Sequence, residues 1–342
     1  MIKIGFIGVG FVAQQCHLPS FDSTPGCEIY AVSDLQKDLA DKISRRYEVE
    51  KTYYSHQELL NDPEIDAVVI TVPRPLTNGL CIEALKSNKK VFTEKPISLN
   101  KESANQIITL SQELNVPVQV GYMRRYDLAV QKTLELINDL KKENKNPLLI
   151  RSYCYMGDSY ASPFGDFKSN QDIQVPVSNV DKFPTWLDSK KYKAYENYVN
   201  TFSHTIDTIS YLINEKIKHQ YSSLDEVAQG ITVFKSEQNI PIEFSTAKSN
   251  LNQWMEGISF VYDDLIIDLT LTPAFIKNVP GKVSIRSGQF FDNTQEIRPQ
   301  WSWSFKNQAA NFIELCNNWP NYNSNLNDAV NHISMIENIF KD

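Results

Sequence analysis

A glycine-rich turn close to the N-terminus has the residue types and the spacing of a phosphate-binding loop. Gly8-Val9-Gly10-Phe11-Val12-Ala13 matches the pattern G-x-G-x-x-A and follows a short apolar segment, residues 3–7. Gly8 permits a tight turn, and Gly10 lets a pyrophosphate approach the backbone because no side chain intervenes. Ala13 lets a following helix pack close to the strand, and N–H groups at the start of that helix can bind phosphate oxygens. The turn predicts a dinucleotide site, with a glycine-rich turn that binds no ligand as the alternative.

An acidic residue follows at the distance expected of a ribose-binding carboxylate. Residues 29–33 are apolar and β-prone and end at Asp34, about 20 residues beyond the glycines. The carboxylate of Asp34 would accept hydrogen bonds from the adenosine ribose hydroxyls and would repel a 2′-phosphate. No arginine follows directly, so the sequence favours NAD(H) over NADP(H). A simple turn or helix-capping role for Asp34 is the alternative.

Short apolar segments alternate with helix-forming segments over the first third of the chain, and these elements must position both features. The predicted strands are residues 3–7, 29–33, 51–54, 66–72, 90–94 and 116–122, and the predicted helices are 37–46, a short helix capped by Ser55, 78–87 and 101–114. A β-α-β run with short loops predicts a doubly wound parallel sheet, in which ligands lie at the carboxyl ends of the strands. We therefore expect residues 1–122 to form an NAD(P)-binding Rossmann domain.

The second half of the chain is β-rich and follows a predicted long helix, residues 127–143. The predicted strands are 148–155, 227–235, 242–249, 257–262, 265–272 and 282–291, with turns at Asp263-Asp264 and Pro280-Gly281. We expect residues 123–342 to form a substrate-binding and oligomerisation domain of the α+β class, built on an open, mostly antiparallel sheet. Its last helix can pack back on the first domain. The connection at 157–197 either forms part of the substrate wall, with Trp186 or Tyr192 beside a sugar ring, or is a surface excursion.

Size and composition exclude several classes of protein. The chain has 342 residues, 42% of them hydrophobic and 22% charged, which is enough for two domains with separate cores. The net charge of −7 argues against nucleic acid or an anionic membrane surface as a partner. Five scattered cysteines without a C-x-x-C pair argue against a disulfide framework or a zinc site, and no metal is expected. Without a targeting segment or an apolar run near the ~20 residues of a membrane span, we expect a cytoplasmic protein.

Three separated motifs, in this order, are similar to those of one enzyme family. They are Glu94-Lys95-Pro96, Gly121-Tyr122-Met123-Arg124-Arg125-Tyr126-Asp127 and Asn200-Thr201-Phe202-Ser203-His204-Thr205-Ile206-Asp207. Together with the G-x-G-x-x-A opening they resemble the Gfo/Idh/MocA family of NAD(P)-dependent oxidoreductases, and the second motif resembles the inositol 2-dehydrogenase branch most. Residues 305–312 and 325–339 also resemble closing segments of that family, so the resemblance runs nearly end to end.

The resemblance implies catalytic roles for three residues. Lys95 would lie near the nicotinamide and stabilise alkoxide character on the reacting oxygen, whereas a surface lysine paired with Glu94 is the alternative. His204 would accept the hydroxyl proton as hydride leaves the same carbon, whereas a packed core histidine is the alternative. Asn200 stands where the family has an aspartate, four residues before the histidine. An amide orients an imidazole but supplies no charge, so His204 should be a weaker base than in the family.

The resemblance also assigns ligand contacts. The cofactor-binding residues would be Gly8, Gly10, Phe11, Val12, Asp34, Thr71, Val72, Pro73, Glu94 and Lys95, and the substrate-binding residues would be Tyr122, Met123, Arg124, Asn200, Thr201 and His204. The arginine pair Arg124-Arg125 has three open interpretations: contact with an anionic substrate group, with the cofactor, or with a structural acid.

The expected function is the NAD(H)-dependent interconversion of a secondary alcohol and a ketone on a sugar, a sugar derivative or a cyclitol. Two alternatives stay open: a different redox-assisted reaction on a sugar by the same scaffold, and a catalytically silent NAD(H)-binding regulatory protein, which Asn200 motivates. Exposed apolar strand faces predict a homodimer or a homotetramer. Neither nucleic acid nor a membrane is an expected partner.

Overall fold

The structure is a computed structural model that describes residues 1–157, 166–169, 171 and 180–341. Over these residues the chain divides into two compact units. Unit 1 comprises Met1–Gly121, Phe305–Ile333 and the described part of Pro163–Thr185, and unit 2 comprises Trp186–Ser304 and the described parts of Tyr122–Ser162 and Ser334–Asp342. The first change of unit lies next to the predicted domain boundary at residues 122 and 123. The later returns to unit 1 differ from the prediction of one continuous second domain.

Unit 1 contains a parallel sheet, which has six strands among the described residues. The strands are β1 (Ile2–Ile7), β2 (Cys27–Ser33), β3 (Lys51–Tyr53), β4 (Ala67–Ile70), β5 (Lys90–Thr93) and β6 (Val118–Val120), in the spatial order β3-β2-β1-β4-β5-β6. The order reverses between β1 and β4, and in such sheets dinucleotides bind at the carboxyl ends beside this switch point. The register pairs Ile7 with Ile70 and Ile70 with Thr93, so the residues that follow β1, β4 and β5 lie side by side. The predicted doubly wound Rossmann fold is confirmed.

The helices that begin in unit 1 before residue 121 are mostly those predicted. A helix runs from Phe11 to Asp22 through a π-helical turn at Ala13–His17 and the segment α1 (Leu18–Asp22); the others are α2 (Lys37–Tyr47), α3 (His56–Leu60), α4 (Arg74–Lys86) and α5 (Lys101–Leu114). Ser55 caps α3 as predicted, since its hydroxyl accepts a hydrogen bond from the Glu58 N–H at 3.2 Å. The prediction that α4 begins at Asn78 was wrong by four residues. Pro75 fits the first turn of a helix, where its missing N–H costs no hydrogen bond.

Unit 2 is built on a mostly antiparallel sheet, with eight strands among the described residues. They are β7 (Leu149–Met156), β8 (Ile217–Leu224), β9 (Gly230–Ser236), β10 (Pro241–Lys248), β11 (Met255–Val261), β12 (Leu265–Leu271), β13 (Lys282–Ser287) and β14 (Asn293–Ile297), in the order β14-β13-β12-β11-β7-β10-β9-β8. β7 and β10 pair in parallel, and the other pairs of the described sheet are antiparallel. The sequence prediction missed the polar edge strand β8 and also β14. It extended β13 to residue 291, past Gly288, whose φ of +88° ends the strand.

The remaining α-helices complete both cores. They are α6 (Leu128–Lys142), α7 (Tyr192–Asn197), α8 (Ser203–Ile213), α9 (Ser304–Asn318) and α10 (Leu326–Lys341), and a π-helical turn at Tyr198–Phe202 joins α7 to α8. None of the helices among the described residues combines the length and the apolar character that crossing a bilayer requires.

An aromatic cluster explains why the chain returns to unit 1 after residue 304. Phe312 on α9 packs edge to face against Phe21 and Phe92, with ring centroids 6.1 Å and 5.6 Å apart. Phe6 on β1 packs against Phe21 in the same way at 5.7 Å. All four rings are fully or almost fully buried, so α9 closes one face of the parallel sheet.

Candidate functional site

The turn after β1 has room for glycine alone at its first position. Gly8 has a φ of +83°, and a Cβ there would lie 2.6 Å from the carbonyl oxygen of Thr71. The Gly8 N–H donates to the Ser33 carbonyl at 2.8 Å, and the Thr71 hydroxyl donates to the Gly8 carbonyl at 2.6 Å. These bonds join the ends of β1, β2 and β4, so the turn is held at the switch point of the sheet. Val72 and Pro73 follow Thr71 at the same edge.

The second glycine of the turn borders open space. A Cβ built on Gly10 would meet no described atom within 4 Å. The Gly10 carbonyl accepts the first helical hydrogen bond, from the Gln14 N–H at 3.0 Å. Phe11 and Val12 are half-buried and form the first turn of the helix. A phosphate group can therefore approach the backbone at Gly10, next to N–H groups at a helix start, as the G-x-G-x-x-A spacing predicts.

The carboxylate of Asp34 lies directly beside this turn. One oxygen accepts a hydrogen bond from the Val9 N–H and the other from the Gln36 N–H, each at 2.9 Å. Burial raises the pKa of Asp34, a nearby Asp38 charge adds to this, and the two N–H donors oppose it. Each oxygen accepts one backbone bond and can accept a second, so ribose hydroxyls can be held at the same time. The N-cap of α2 is Gln36 and not Asp34, which removes the helix-capping part of the alternative. The bond from the Gln36 N–H is a local turn contact, so the turn part of the alternative stays open.

A buried histidine and a glutamate define the end of β5. Nε2 of His17 lies 2.7 Å from Oε1 of Glu94, whose other oxygen accepts the Lys95 N–H at 3.1 Å. Burial alone would raise the pKa of Glu94, but the His17 interaction and Lys95 outweigh it and the pKa is lowered. Sequence reasoning missed His17, although it lies four residues after the glycine motif on the same helix.

Lys95 is half-buried and electrostatically perturbed. Burial is the largest influence and lowers the pKa of Lys95 to about 8; the charge of Arg74 acts in the same direction and that of Glu94 opposes it. A fully solvated surface lysine would keep a pKa near 10.4. Lys95 thus differs from a fully solvated surface lysine, and its catalytic role stays a prediction.

In unit 2, Asn200, Thr201 and His204 share the open face of one helical segment. Between Tyr198 and Thr208, a stretch that is described throughout, these three side chains are half-buried and the others are buried. The ring of Tyr122, itself buried, packs edge to face against His204 with centroids 5.8 Å apart. The structure thus brings four predicted substrate-site residues together within unit 2, with buried Met123 next to Tyr122 in the chain.

Both arginines of the second motif contact buried acids. Arg124 donates to Glu256 Oε2 at 2.5 Å and to the Thr272 carbonyl at 2.7 Å. Arg125 donates to both oxygens of Asp207: its Nη2 donates to Oδ1 at 2.6 Å and its Nε to Oδ2 at 2.9 Å. Of the three interpretations of this pair, the contacts favour structural acids. A substrate contact by Arg124 stays a prediction.

These pairs fix the helix that carries His204. Asp207 lies three residues after His204 on α8, and Thr205 on the same helix donates to Glu256 at 3.1 Å. Glu256 and Asp207 are 2% and 0% exposed, so the ion pairs are shielded from water. Buried charges that are paired in this way specify position more than they add stability. Sequence reasoning missed Glu256, which lies in β11 without a motif around it.

Two further predictions concern the aromatic residues of a substrate wall and the presence of a metal site. Trp186 and Tyr192 are exposed, with Lys341 Nζ 5.2 Å from the centre of the Trp186 ring, and their role in a substrate wall stays a prediction. Most of the connection between them and β7, residues 158–165, 170 and 172–179, lies outside the described residues. Among the described residues, no three His, Cys, Asp or Glu side chains are grouped to hold a metal ion.

Comparison with known proteins identifies relatives at the level of sequence. Residues 2–122 match the profile of Gfo/Idh/MocA, an oxidoreductase family with an NAD-binding Rossmann fold. The inositol 2-dehydrogenase of Salmonella typhimurium is 28% identical over 211 residues, which cover 61% of each protein. The scyllo-inositol 2-dehydrogenase (NAD(+)) of Bacillus subtilis is 32% identical over 225 residues, covering 66% of this chain and 62% of that protein. The chain thus spans about three fifths of the length of these curated relatives.

Solved structures share the fold over the whole chain. A 3-ketoreductase from Actinomadura kijaniata, in complex with NADP and TDP-benzene, superposes with a TM-score of 0.77 at 15% identity, covering 99% of this chain and 96% of that one. The apo scyllo-inositol dehydrogenase of Lactobacillus casei superposes with a TM-score of 0.72 at 17% identity, covering 100% and 95%. At these identities the likeness shows the fold. The profile match of residues 2–122 agrees with the family that the motifs resemble.

Proposed function

We propose that this protein is an NAD(H)-dependent oxidoreductase that interconverts a secondary alcohol and a ketone on a sugar, a sugar derivative or a cyclitol. The observation that carries the proposal is the place of Lys95, half-buried just beyond the carboxyl end of β5, where its N–H donates to Glu94. It lies in the unit that also contains the glycine turn and Asp34. The names of the curated relatives, inositol dehydrogenases from two bacteria, support this substrate class.

The cofactor would be held by the residues of the switch point. Gly8, Gly10 and the first turn of the following helix would bind the pyrophosphate, and Asp34 would accept hydrogen bonds from the adenosine ribose. Open space at Gly10 and the remaining acceptor capacity of Asp34 fit these groups. Asp34 favours NAD(H), because a 2′-phosphate would place a second anion beside this carboxylate.

Gly10→Ala separates folding from dinucleotide binding. The added methyl group enters open space, so we expect unchanged thermal unfolding. It would also occupy the path by which the pyrophosphate approaches the backbone, so NADH should bind at least about tenfold more weakly. A fluorescence titration with NADH, together with a melting curve, measures both effects. Gly8→Ala is the contrast, because its Cβ would clash with Thr71 and should lower stability as well. Equal NADH affinity of Gly10→Ala and the wild type would contradict the pyrophosphate assignment.

Each catalytic role falls to a named side chain. A bound nicotinamide would supply the hydride exchange with the substrate carbon. The Lys95 ammonium donates a hydrogen bond to the reacting oxygen and stabilises the negative charge that develops there. His204 accepts the hydroxyl proton during oxidation and returns it to the oxygen during ketone reduction.

The lowered pKa of Lys95 predicts the pH dependence of ketone reduction. Because the ammonium form is the hydrogen-bond donor, kcat/KM should be high below pH 8 and fall as the pH rises through about 8. Glu94 raises the pKa of Lys95 and Arg74 lowers it. Glu94→Gln should therefore move the falling limb to lower pH, and Arg74→Met should move it to higher pH. A pH–rate profile for the three proteins checks this, and shifts in the same direction for both variants would refute the assignment to Lys95.

A substrate screen tests the function itself. Formation of NADH is followed with inositols, hexoses, amino sugars and their phosphates, for the wild type and for His204→Ala. Turnover that depends on His204 supports the dehydrogenase. Binding of NADH without turnover of any of these compounds favours the regulatory protein that Asn200 motivates. A product other than the ketone would point to another redox-assisted reaction on the same scaffold.

We also propose that the protein forms a homodimer or a homotetramer in the cytoplasm. The sheet of unit 2 exposes apolar side chains, among them Tyr221, Ile231 and Met255, which association would cover. The five cysteines all lie among the described residues and are free thiols, as suits a reducing compartment.

A further inference from the structure

A short piece of the long connection lies along α2 in unit 1. We call residues 166–169 and 171 the outer segment. It runs antiparallel to α2, from the C-terminal end of the helix towards its N-cap. In chain order, Phe167 lies beside Arg46 (5.6 Å), the Lys168 carbonyl accepts from Lys42 Nζ (3.0 Å), the Ser169 hydroxyl donates to Asp38, and the Gln171 carbonyl accepts from Gln36 Nε2 (3.1 Å).

Gln14 ties the outer segment to the glycine turn. Its side-chain oxygen accepts the Phe167 N–H at 2.7 Å, and its amide nitrogen donates to the Phe167 carbonyl at 3.1 Å. The same nitrogen donates to the Val9 carbonyl at 2.8 Å, while the Val9 N–H donates to Asp34. Gln14 is 5% exposed, so its hydrogen bonds to Phe167 are made by a buried side chain. A buried amide that satisfies both its oxygen and its nitrogen fixes the backbone on either side of it.

Gln36 ties the other end of the outer segment to the ribose carboxylate. Its backbone N–H donates to Asp34 Oδ1 at 2.9 Å, and its side chain donates to the Gln171 carbonyl at 3.1 Å. At Gln171 the outer segment therefore contacts Gln36, which lies two residues after Asp34, the residue that would hold the ribose hydroxyls. The Gln171 carbonyl oxygen presents partial negative charge at Gln36, and the Ser169 hydroxyl of the same segment donates to the carboxylate of Asp38.

The cations of α2 near this point already have anionic or aromatic partners. Lys42 lies 3.2 Å from Asp38 and also donates to the outer segment. Lys37 lies over the ring of Tyr54, 5.1 Å from its centre. A 2′-phosphate needs cations and N–H donors that are available to it, since an anion beside unpaired carboxylates is repelled.

We propose that the outer segment is the wall of the adenosine ribose site and that it excludes a 2′-phosphate, which makes it a specificity-determining element for NAD(H). The proposal rests on the proposed dinucleotide function and deepens it. Asp34 alone supplies repulsion, whereas the outer segment adds the Gln171 carbonyl against the side chain of Gln36, two residues after Asp34.

The test compares NADH and NADPH binding in variants that loosen the wall but keep Asp34. Gln36→Ala removes the bond to the Gln171 carbonyl and leaves the backbone N–H on Asp34 in place. Ser169→Ala removes the bond to Asp38. Gln112→Ala, an exposed glutamine on α5, is the matched control. Dissociation constants for NADH and NADPH are measured by fluorescence, and hydrogen exchange of the peptide that contains residues 166–171 reports whether the segment loosens.

We expect the wild type to bind NADH more tightly than NADPH. In Gln36→Ala and in Ser169→Ala the ratio of the NADPH to the NADH dissociation constant should fall about fivefold, because NADPH binds more tightly. Hydrogen exchange in the outer segment should rise in these variants and stay unchanged in Gln112→Ala. An unchanged NADH to NADPH ratio despite faster exchange would overturn the proposal. Weaker NADPH binding by Lys168→Ala would also overturn it, because the exposed Lys168 would then be recruiting the phosphate. A wild type that binds neither NADH nor ADP-ribose would instead refute the dinucleotide function itself.

Discussion

Lys95→Met should lower kcat about 10²- to 10³-fold while the affinity for NADH stays close to that of the wild type. The methionine keeps the unbranched stem in its half-buried place, so the fold should be unaffected. What is lost is the ammonium group, whose hydrogen bond strengthens as charge develops on the reacting oxygen. An interaction made mainly in the transition state affects kcat more than binding.

The controls for this variant separate chemistry from general charge effects. Lys86→Met removes an exposed lysine at the end of α4 and should leave kcat unchanged. A double variant of Lys95 and His204 should be far less impaired than the product of the two single effects, because residues that act on one step are not additive. If Lys95→Met raised KM and left kcat unchanged, Lys95 would be a binding residue and its catalytic role would be lost.

Arg125→Ala should destabilise the protein by about 3–5 kcal/mol, the largest stability effect that we expect of a single substitution. Asp207 is fully buried, and the change leaves its carboxylate without the two-pronged partner. The guanidinium also lies 4.9 Å from the centre of the Tyr211 ring, and this contact is lost. Urea unfolding, followed by circular dichroism, measures the free energy of unfolding.

Two further variants test whether the loss of stability comes from the unpaired buried charge of Asp207. Arg151→Ala removes an arginine on the sheet of unit 2 whose partner, Glu243, is also solvated, so it should cost less than about 1 kcal/mol. Arg125→Met combined with Asp207→Leu should recover most of the lost stability, because an apolar pair leaves no buried charge. A cost for Arg125→Ala as small as that for Arg151→Ala would show that the buried pair contributes little.

The parts of the site that were predicted from the sequence are those with local signatures. The glycine turn and Asp34 depend on short-range spacing, and Lys95 follows directly from the end of a buried strand. The pairs that hold the end of β5 and the helix of His204 could not be predicted, because their partners are far apart in the chain. His17 and Glu94 are 77 residues apart, and Arg124 and Glu256 are 132 apart. The residues next to Glu94 or Glu256 in the sequence do not show that these carboxylates are paired rather than solvated.

Errors in the predicted elements also have physical causes. β8 was missed because it is an edge strand with mostly polar side chains, so it lacks the alternation that marks a half-buried strand. The start of α4 was predicted four residues too late, although Pro75 is well suited to a first helical turn. The outer segment had no recognisable pattern, since two of its contacts with α2 use backbone carbonyls that any sequence provides.

The place of α9 in the chain has a consequence for biosynthesis. Phe312 completes the aromatic cluster on the parallel sheet, but a ribosome delivers it about 220 residues after Phe92, at roughly 5–20 residues per second. Until then Phe21 and Phe92 have one side unshielded from water or from other nascent chains. Unit 1 can therefore complete its core only when the chain is nearly finished. A chain truncated before α9 would keep this apolar surface exposed and would be prone to aggregation or to binding by chaperones.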